Sequence, residues 1–341
     1  MLRFLVRRLL LLVPILLGVS LLIFFWIRAL PGGPAEALLG ERSTPQLVAA
    51  YRHQYGLDKP LPVQYWRYLR TTLYDRDLGV SSTTHRNVTE EIRLRFPATV
   101  ELTLAAILFA MSVGIPLGFF AAKRYGGFFD HASLFLSLIG ISIPIFFLAI
   151  ILKYIFAVRL AWLPSVGRID LLRSFDVKHP TNFYVLDAIL TRDWSTLVDV
   201  LKHLVLPAIA LGSIPLAIIA RITRAAVLDV QNEDYVRTAR AKGLRERAVV
   251  TRHALKNALI PVVTIIGIQV GAIIEGAIIT ETIFFIPGIG RLAVQAIPSQ
   301  DYPVVQGVVL VAALSYMVST LAVDVLYAYL DPRISFGGAE A

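Results

Sequence analysis

Five ionisable side chains fall within or at the ends of long apolar stretches of the sequence: Glu101, Lys153, Glu275, Glu281 and Asp324. An ionisable group is costly in a bilayer and by default marks a functional site. Glu275 is the deepest in its stretch. It either meets the ammonium group of a passing substrate or pairs with a residue of a neighbouring helix. The other four lie nearer the ends of their stretches, which favours structural pairing. The candidate pathway residues are Glu275 and two other polar residues of the same stretch, Glu281 and Gln269.

The sequence lacks the local motifs of common catalytic and nucleotide-binding sites. There is no Gly-x-x-x-x-Gly-Lys-[Ser/Thr] phosphate loop, no Gly-x-Ser-x-Gly elbow and no His-Glu-x-x-His zinc motif. Cysteine is absent, and the six histidines lie too far apart for ligand spacing. We therefore expect neither an enzyme nor a metal or other cofactor in this chain. The chain cannot bind ATP through such a phosphate loop.

A short, well-delimited helix is predicted between Asn232 and Gly243. Asn232 suits the N-cap, and Glu233 and Asp234 suit the positive end of the helix dipole. Arg240 and Lys242 favour the other end, and Gly243 suits the left-handed position that ends a helix. Such a helix in a polar loop is rigid and can transmit a push. The alternative is a solvated basic loop whose charges only set the orientation of the spans. A second helical stretch is predicted at 246–257.

The residues of this helix resemble the EAA loop of ABC importer permeases, and more narrowly that of the peptide and nickel transporter family. The matching residues are Tyr235, Val236, Arg237, Thr238, Ala239, Arg240, Ala241, Lys242, Gly243 and Leu244, followed by His253-Ala254-Leu255-Lys256-Asn257-Ala258. In that family the loop forms the coupling helix that docks into the ATP-binding subunit. The Glu-Ala-Ala of the general motif stands here as Arg237-Thr238-Ala239, a form common in peptide permeases.

The resemblance extends over nearly the whole chain. Similar segments are Leu30-Pro31-Gly32, Gly56-Leu57-Asp58-Lys59-Pro60, Asp77-Leu78-Gly79, Phe96-Pro97-Ala98-Thr99 and Thr280-Glu281-Thr282-Ile283-Phe284. Pro287-Gly288-Ile289-Gly290 and Asp301-Tyr302-Pro303-Val304-Val305-Gln306-Gly307 are similar to the B-type member of a permease pair. One departure is Gln300, where the family usually has arginine.

The apolar blocks predict a multi-spanning membrane protein. Hydrophobic residues make up 56% and charged residues 17% of the 341 residues, and a span needs about 20 consecutive apolar residues. We predict six spans, at 9–30, 99–122, 132–156, 204–222, 258–285 and 304–329. The net charge of +9 is ascribed to basic cytoplasmic loops rather than to nucleic-acid binding.

Basic residues set the expected orientation of the spans. Arginines precede the first span, Lys123 and Arg124 follow the second, and basic residues are dense in 221–257. Both termini are therefore expected in the cytoplasm. The connections 31–98 and 157–203 then lie outside, and the first has enough aromatic residues for a small folded cap. We expect an N-terminal helix and external segment at 1–95, a permease core at 96–330 and a cytoplasmic tail at 331–341.

The resemblance implies an all-α, type I ABC importer permease in a bacterial cytoplasmic membrane. The implied partners are a second homologous permease, two ATP-binding subunits, an external substrate-binding protein and the lipid bilayer. Dipeptides or short oligopeptides are the expected substrates, and nickel, glutathione, haem and oligosaccharides are alternatives within the family. An ion-coupled secondary transporter or a membrane receptor without transport are alternatives of other classes. An ion-coupled secondary transporter is expected to contain internal repeats, and none is found in this sequence.

Overall fold

The computed structural model describes residues 2–29, 33–39, 44–54, 56–175, 177, 179–245, 249 and 255–330. These residues form helices and contain no strand, apart from one isolated bridge between Val80 and Asn87. The helices are α1 (Leu2–Ala29), α2 (Gly33–Leu39), α3 (Pro45–Gln54), α4 (Leu61–Leu73), α5 (Val88–Lys123), α6 (Phe128–Ser142), α7 (Ile145–Leu152), α8 (Tyr184–Leu190), α9 (Trp194–Gln231), α10 (Asp234–Ala241), α11 (Leu255–Ile283), α12 (Ile289–Ala296) and α13 (Tyr302–Leu330). The all-α prediction is confirmed.

Among the described residues, five helices are long and apolar enough to cross a membrane: α1, α5, α9, α11 and α13. A sixth span results if α6 and α7, with the π-helical turn Lys153–Arg159 that continues α7, are counted together. The prediction of six spans agrees with that count. The helices that contain the predicted second and fourth spans are longer than those spans, because α5 begins at Val88 and α9 runs from Trp194 to Gln231. Both helices continue into polar sequence, so the apolar pattern alone does not mark where they begin and end.

The predicted third span, 132–156, comprises most of α6 together with α7, and Pro144 between them allows a kink. α6 ends at Ser142, and the two segments differ in direction by 104°. Ile143 is extended, with φ −81° and ψ 122°. Because it precedes Pro144, the proline ring disfavours the helical conformation there. The sequence therefore bends the chain where the proline lies.

The contacts of the chain divide it into two units. Among the described residues, the first comprises those in 100–286 and 318–330, and the second those in 2–99 and 287–317. In the first unit α9 contacts α6, α7, α8, α10 and α11. Gly118 permits the close approach of α5 and α9, since a Cβ there would overlap the carbonyl oxygen of Ala220. Gly114, one turn earlier, permits the same approach, since a Cβ there would lie 2.9 Å from the carbonyl oxygen of Leu216.

The second unit has its own apolar core, formed by α1, the start of α5, α12 and the start of α13. The buried residues are Ile23, Ile27, Val88, Ile92, Ile289, Leu292, Ala296, Tyr302, Val304, Val305 and Val308. The domain boundary expected at residues 95 and 96 stays a prediction. The tail at 331–341 lies outside the described residues, and so does most of the helical stretch predicted at 246–257.

Candidate functional site

The short helix predicted between Asn232 and Gly243 is present as α10. Its N-cap is Glu233, with extended backbone at φ −71° and ψ 145°. The prediction that Asn232 is the N-cap is wrong, because α9 continues to Gln231 and Asn232 is its C-cap. The Asn232 side chain donates to the carbonyl of Leu228 at 3.2 Å and so belongs to the end of α9.

Gly243 ends this helical segment with a φ of +75°, which confirms the predicted left-handed position. Its N–H donates to the carbonyl of Arg240 at 2.9 Å. A Cβ added at Gly243 would meet no atom within 4 Å. The need for glycine is therefore conformational, since side-chain-bearing residues other than Asn and Asp rarely adopt this region.

One face of α10 is fixed to the rest of the first unit. Val236 and Ala239 are buried together with Val249, and Val230 of α9 packs against them. The Nδ2 of Asn257, near the start of α11, donates to the Tyr235 hydroxyl at 2.8 Å. The helix is thus held between the end of α9 and the start of α11.

The opposite face of α10 is open to solvent and basic. The exposed residues of the predicted site are Tyr235, Arg237, Thr238, Arg240, Ala241, Lys242, Gly243 and Leu244. Arg237 makes an ion pair with Asp234 at 3.6 Å, and both side chains are strongly exposed. Such a surface pair adds little stability. The helix therefore presents a rigid, positively charged surface on a buried apolar base.

A buried ion pair lies where α6 begins. Arg224 of α9 donates to both carboxylate oxygens of Asp130, at 2.5 and 2.8 Å. The Gly126 N–H also donates to Asp130, at 3.0 Å. Asp130 is 2% exposed. Neither residue is among the candidates predicted from the sequence, although an aspartate at the polar edge of an apolar stretch is a signal that points to such a pair.

The same part of α9 packs against two more helices. Ala226 and Val227 form an apolar cluster with Ala122 of α5 and Ala258 of α11. Arg224 lies within one turn of this cluster and ten residues before α10. The part of α9 that precedes α10 is therefore in contact with α5, α6 and α11.

The three candidate pathway residues do not share one surface. Glu275 is exposed on α11, whereas Gln269 and Glu281 are buried at 6% and 0% exposure. Glu275 is six residues from each of them, which on a helix of 3.6 residues per turn places both on other faces. On its own face Glu275 is flanked by the exposed apolar residues Ile268 and Ile279.

The other ionisable residues of the apolar stretches have partners. Glu101 is ion-paired with Arg168 at 2.6 Å and accepts from the N–H of Val185 at 2.7 Å. The Lys153 ammonium donates to the carbonyl of Ile283 at 2.8 Å. Asp324 is half-buried and also interacts with other residues. These contacts of Glu101 and Lys153 favour the structural alternative.

Arg168 attaches the connection 157–203 to the core of the first unit. Besides its bond to Glu101, its guanidinium lies 3.8 Å from the centre of the Tyr184 ring. The ring of His179 stacks on Tyr184 with centroids 3.7 Å apart. Burial lowers the pKa of His179, the positive charge of Arg168 lowers it further, and Asp187 raises it. The neighbouring Gly167 N–H donates to the carbonyl of Phe284 at 2.8 Å.

In the second unit, Asp301 ties the start of α13 to the turn at residues 81–83. Its carboxylate accepts from the Ser81 hydroxyl at 2.5 Å and from the N–H groups of Ser82 and Thr83 at 3.1 and 3.2 Å. Burial on its own raises the pKa of Asp301, but these hydrogen bonds outweigh it and the pKa is lowered. This contact gives the Asp301-Tyr302-Pro303 motif a structural role.

The comparisons with known proteins agree with the helical membrane architecture. Residues 114–336 match the family described as binding-protein-dependent transport system inner membrane component. Residues 1–103 match the N-terminal region of the corresponding membrane component. The chain belongs to this family. It is thus a membrane component of a binding-protein-dependent transport system.

Full-length relatives of this permease bear names from peptide transport. It is 50% identical to the di/tripeptide transport system permease protein DppB of Pseudomonas aeruginosa strain UCBPP-PA14, over 98% of this chain and 99% of that protein. It is 46% identical to the dipeptide transport system permease protein DppB of Alkalihalophilus pseudofirmus, over 98% of this chain and 100% of that protein.

A solved transporter shares the fold of this permease. The structure described as inward facing conformations of the MetNI methionine ABC transporter superposes with a TM-score of 0.50 and 17% identity. The match covers 69% of this chain and 93% of the other. At that identity the likeness concerns the fold alone, which is that of an ABC transporter permease.

Proposed function

We propose that this permease is the B-type subunit of an ATP-driven importer of dipeptides or short oligopeptides. The observation that carries the proposal is α10. It is a helix with an apolar base and a basic, solvent-exposed outer face, and it bears the sequence that resembles the family's coupling helix. In this proposal Arg237 and Arg240 contact an ATP-binding subunit, and ATP hydrolysis takes place in that separate subunit.

The proposed assembly contains a second homologous permease, two ATP-binding subunits and an external substrate-binding protein. Each permease chain has one α10 and engages one ATP-binding subunit. Two permease chains are therefore needed to engage two ATP-binding subunits. The N- and C-termini lie in the cytoplasm, and the protein resides in the bacterial cytoplasmic membrane. Closure of the ATP-binding subunits displaces α10, and the contacts of α9 pass that displacement to the spans.

The geometry suits such transmission. α10 packs directly on Val230 near the end of α9, and Arg224 joins the same helix to α6. Since a packed core deforms little, a push on α10 moves these helices together rather than being absorbed locally. The division into 1–95, 96–330 and the tail 331–341 is part of the proposal.

The peptide substrate is proposed from the names of the two full-length relatives. Nickel, glutathione, haem and oligosaccharides remain the alternatives within the family. Glu275 is the proposed contact for the substrate ammonium group, because it is the exposed acid of α11. Gln269 and Glu281 remain candidates for the pathway as well, although both are buried in the isolated chain.

The proposal is tested by uptake in cells that carry or lack this permease. Radiolabelled Ala-Ala uptake should require the chain and should stop when arsenate depletes ATP while the proton gradient is maintained. Uptake that survives ATP depletion but stops with a protonophore would identify an ion-coupled transporter instead. Ligand screening of the co-encoded binding protein against Ala-Ala, nickel, glutathione, haem and oligosaccharides identifies the substrate class.

A further inference from the structure

The helix α4, in the connection between the first two spans, has an exposed face that is unusually apolar for an external segment. This α4 outer face consists of Val63, Trp66, Arg67, Arg70, Leu73 and the C-cap residue Tyr74. Trp66 and Leu73 are each 70% exposed and Tyr74 is 81% exposed. The spacing 63, 66, 70 and 73 places these residues on one side of a helix.

The opposite face of α4 packs on α1. The Tyr65 hydroxyl shares a hydrogen bond with the Ser20 hydroxyl at 2.8 Å. The ring of Phe24 lies 5.1 Å from that of Tyr65 and 5.7 Å from that of Tyr68, centre to centre. The Nε of Arg28 donates to the buried side chain of Gln64 at 2.9 Å. α4 is therefore fixed against the carboxyl-terminal part of the first span.

The position of these contacts along α1 gives the depth of α4. The span of α1 is Arg8–Ala29, 22 residues, or about 33 Å of helix, close to the roughly 30 Å of the hydrocarbon core. Phe24 precedes Ala29 by five residues, which is about 7 Å of helix. Ser20 precedes it by nine, about 13 Å. The aromatic contacts between α4 and α1 thus lie within the depth of the membrane span, before its carboxyl end.

From this geometry we infer that α4 is an interfacial helix embedded in one leaflet of the bilayer. The leaflet is the one at the carboxyl end of α1, which is the outer leaflet in the proposed topology. Trp66, Leu73 and Tyr74 lie among acyl chains and glycerol groups, and Arg67 and Arg70 reach lipid phosphates. An amphipathic helix in this setting lies about 5–10 Å within the boundary of headgroups and acyl chains.

Two observations select lipid as the occupant of the α4 outer face. First, the exposed side chains of α1 near the same level, Leu22 and Trp26, belong to a membrane span, so lipid surrounds α1 at the depth where α4 packs on it. Second, tryptophan and tyrosine together with arginine match the chemistry of the membrane interface, where the arginine stem lies along apolar surface and its charge extends to water or phosphate. A water-exposed cap would leave this apolar surface without cover.

The test uses spin labels, since the chain has no native cysteine. Trp66→Cys and Leu73→Cys are labelled with a nitroxide in the assembled transporter, in nanodiscs of phosphatidylethanolamine and phosphatidylglycerol. Power-saturation measurements compare collisions with oxygen, which concentrates in the acyl region, and with the water-soluble complex nickel-EDDA. Leu22→Cys on α1 is the control within the span, and Thr83→Cys in the exposed external turn is the control in water.

Labels at 66 and 73 should give the strong oxygen and weak nickel response of the Leu22 site. A strong nickel response like that of the Thr83 site would place the face in water and overturn the inference. Weak responses to both agents would mean that protein, such as the second permease, covers it, and would also overturn the inference. If the cysteine variants do not assemble, quenching of Trp66 by brominated lipid, with the other tryptophans replaced by phenylalanine, decides between the same outcomes.

Discussion

Arg224 of α9 donates two hydrogen bonds to the carboxylate of Asp130 at the start of α6. Asp130 is almost fully buried, whereas the Arg224 side chain is 18% exposed. Removing one member of a buried pair leaves an uncompensated charge, which costs about 3–5 kcal/mol. The destabilisation should therefore depend on which of the two side chains is removed.

The first prediction concerns this pair. Arg224→Met should lower the thermal stability of the purified protein more than Asp130→Asn, because it leaves the more deeply buried charge unpaired. The double variant should be more stable than the sum of the single losses predicts, with a coupling of about 0.5–3 kcal/mol. The measurement is thermal unfolding of all three variants in detergent. Strictly additive losses would mean that the two side chains do not interact as described.

The second prediction concerns the end of α10. Gly243→Val should abolish stimulation of the ATPase by loaded binding protein and should abolish uptake, because the left-handed conformation costs a residue with a Cβ about 1–2 kcal/mol and a β-branched residue more. Gly243→Asn is the matched control, since asparagine tolerates this conformation. ATPase activity and uptake are measured for the assembled transporter in nanodiscs. Normal stimulation of the valine variant would show that α10 has only a topological role.

The basic surface of α10 gives a third prediction. Arg237→Glu combined with Arg240→Glu reverses charge on an exposed face and leaves the buried base of Val236 and Ala239 intact. Membrane insertion and binding-protein docking should be unchanged, and co-purification of the ATP-binding subunit should fall. Arg237→Gln with Arg240→Gln is the neutral control and should show a smaller loss. Equal co-purification in all three proteins would contradict the proposed contact.

Glu275 gives the fourth prediction. Glu275→Gln should reduce uptake of peptides with a free amino terminus while the protein level in the membrane stays constant, and Glu275→Asp should retain most of the uptake. Peptide uptake and immunoblots of the membrane fraction are compared. Normal uptake by the glutamine variant would exclude Glu275 from the pathway. Loss of the protein itself would instead support a structural pair with a neighbouring helix.

The fifth prediction concerns pH. The pKa of His179 is lowered from its ordinary value of about 6.5, chiefly because burial disfavours the charged ring. The neutral ring's contribution to stability is therefore fully present above pH 6.5 and is lost as the pH falls through the lowered pKa. Hydrogen exchange of Tyr184–Leu190, corrected for its intrinsic pH dependence, should accelerate on acidification from pH 7.5.

Substitution of the histidine tests that assignment. His179→Phe keeps an aromatic ring against Tyr184 but cannot titrate, so it should remove the acceleration. His53→Phe, at an exposed position of α3, should leave it unchanged. An acceleration that persists in the His179 variant would assign the pH dependence to another group.

Much of the architecture could be predicted from the sequence because it depends on local patterns. A long apolar segment in a bilayer forms a helix, because a helix hydrogen-bonds its own backbone N–H and C=O groups. The sequence around Gly243 predicted a left-handed residue, and φ is +75° there. The failure at Asn232 was also local: the residue is equally suited to the end of α9, and only the length of α9 decides between the two positions.

The partners of the charged groups were decided by the tertiary structure. Arg168 and Glu101 are 67 residues apart in sequence and Arg224 and Asp130 are 94 apart, so no local pattern joins them. The sequence placed Gln269, Glu275 and Glu281 in one apolar stretch and could not say which of them is exposed. Burial depends on which side of α11 faces other helices, and that side is fixed by the packing of helices distant in the sequence.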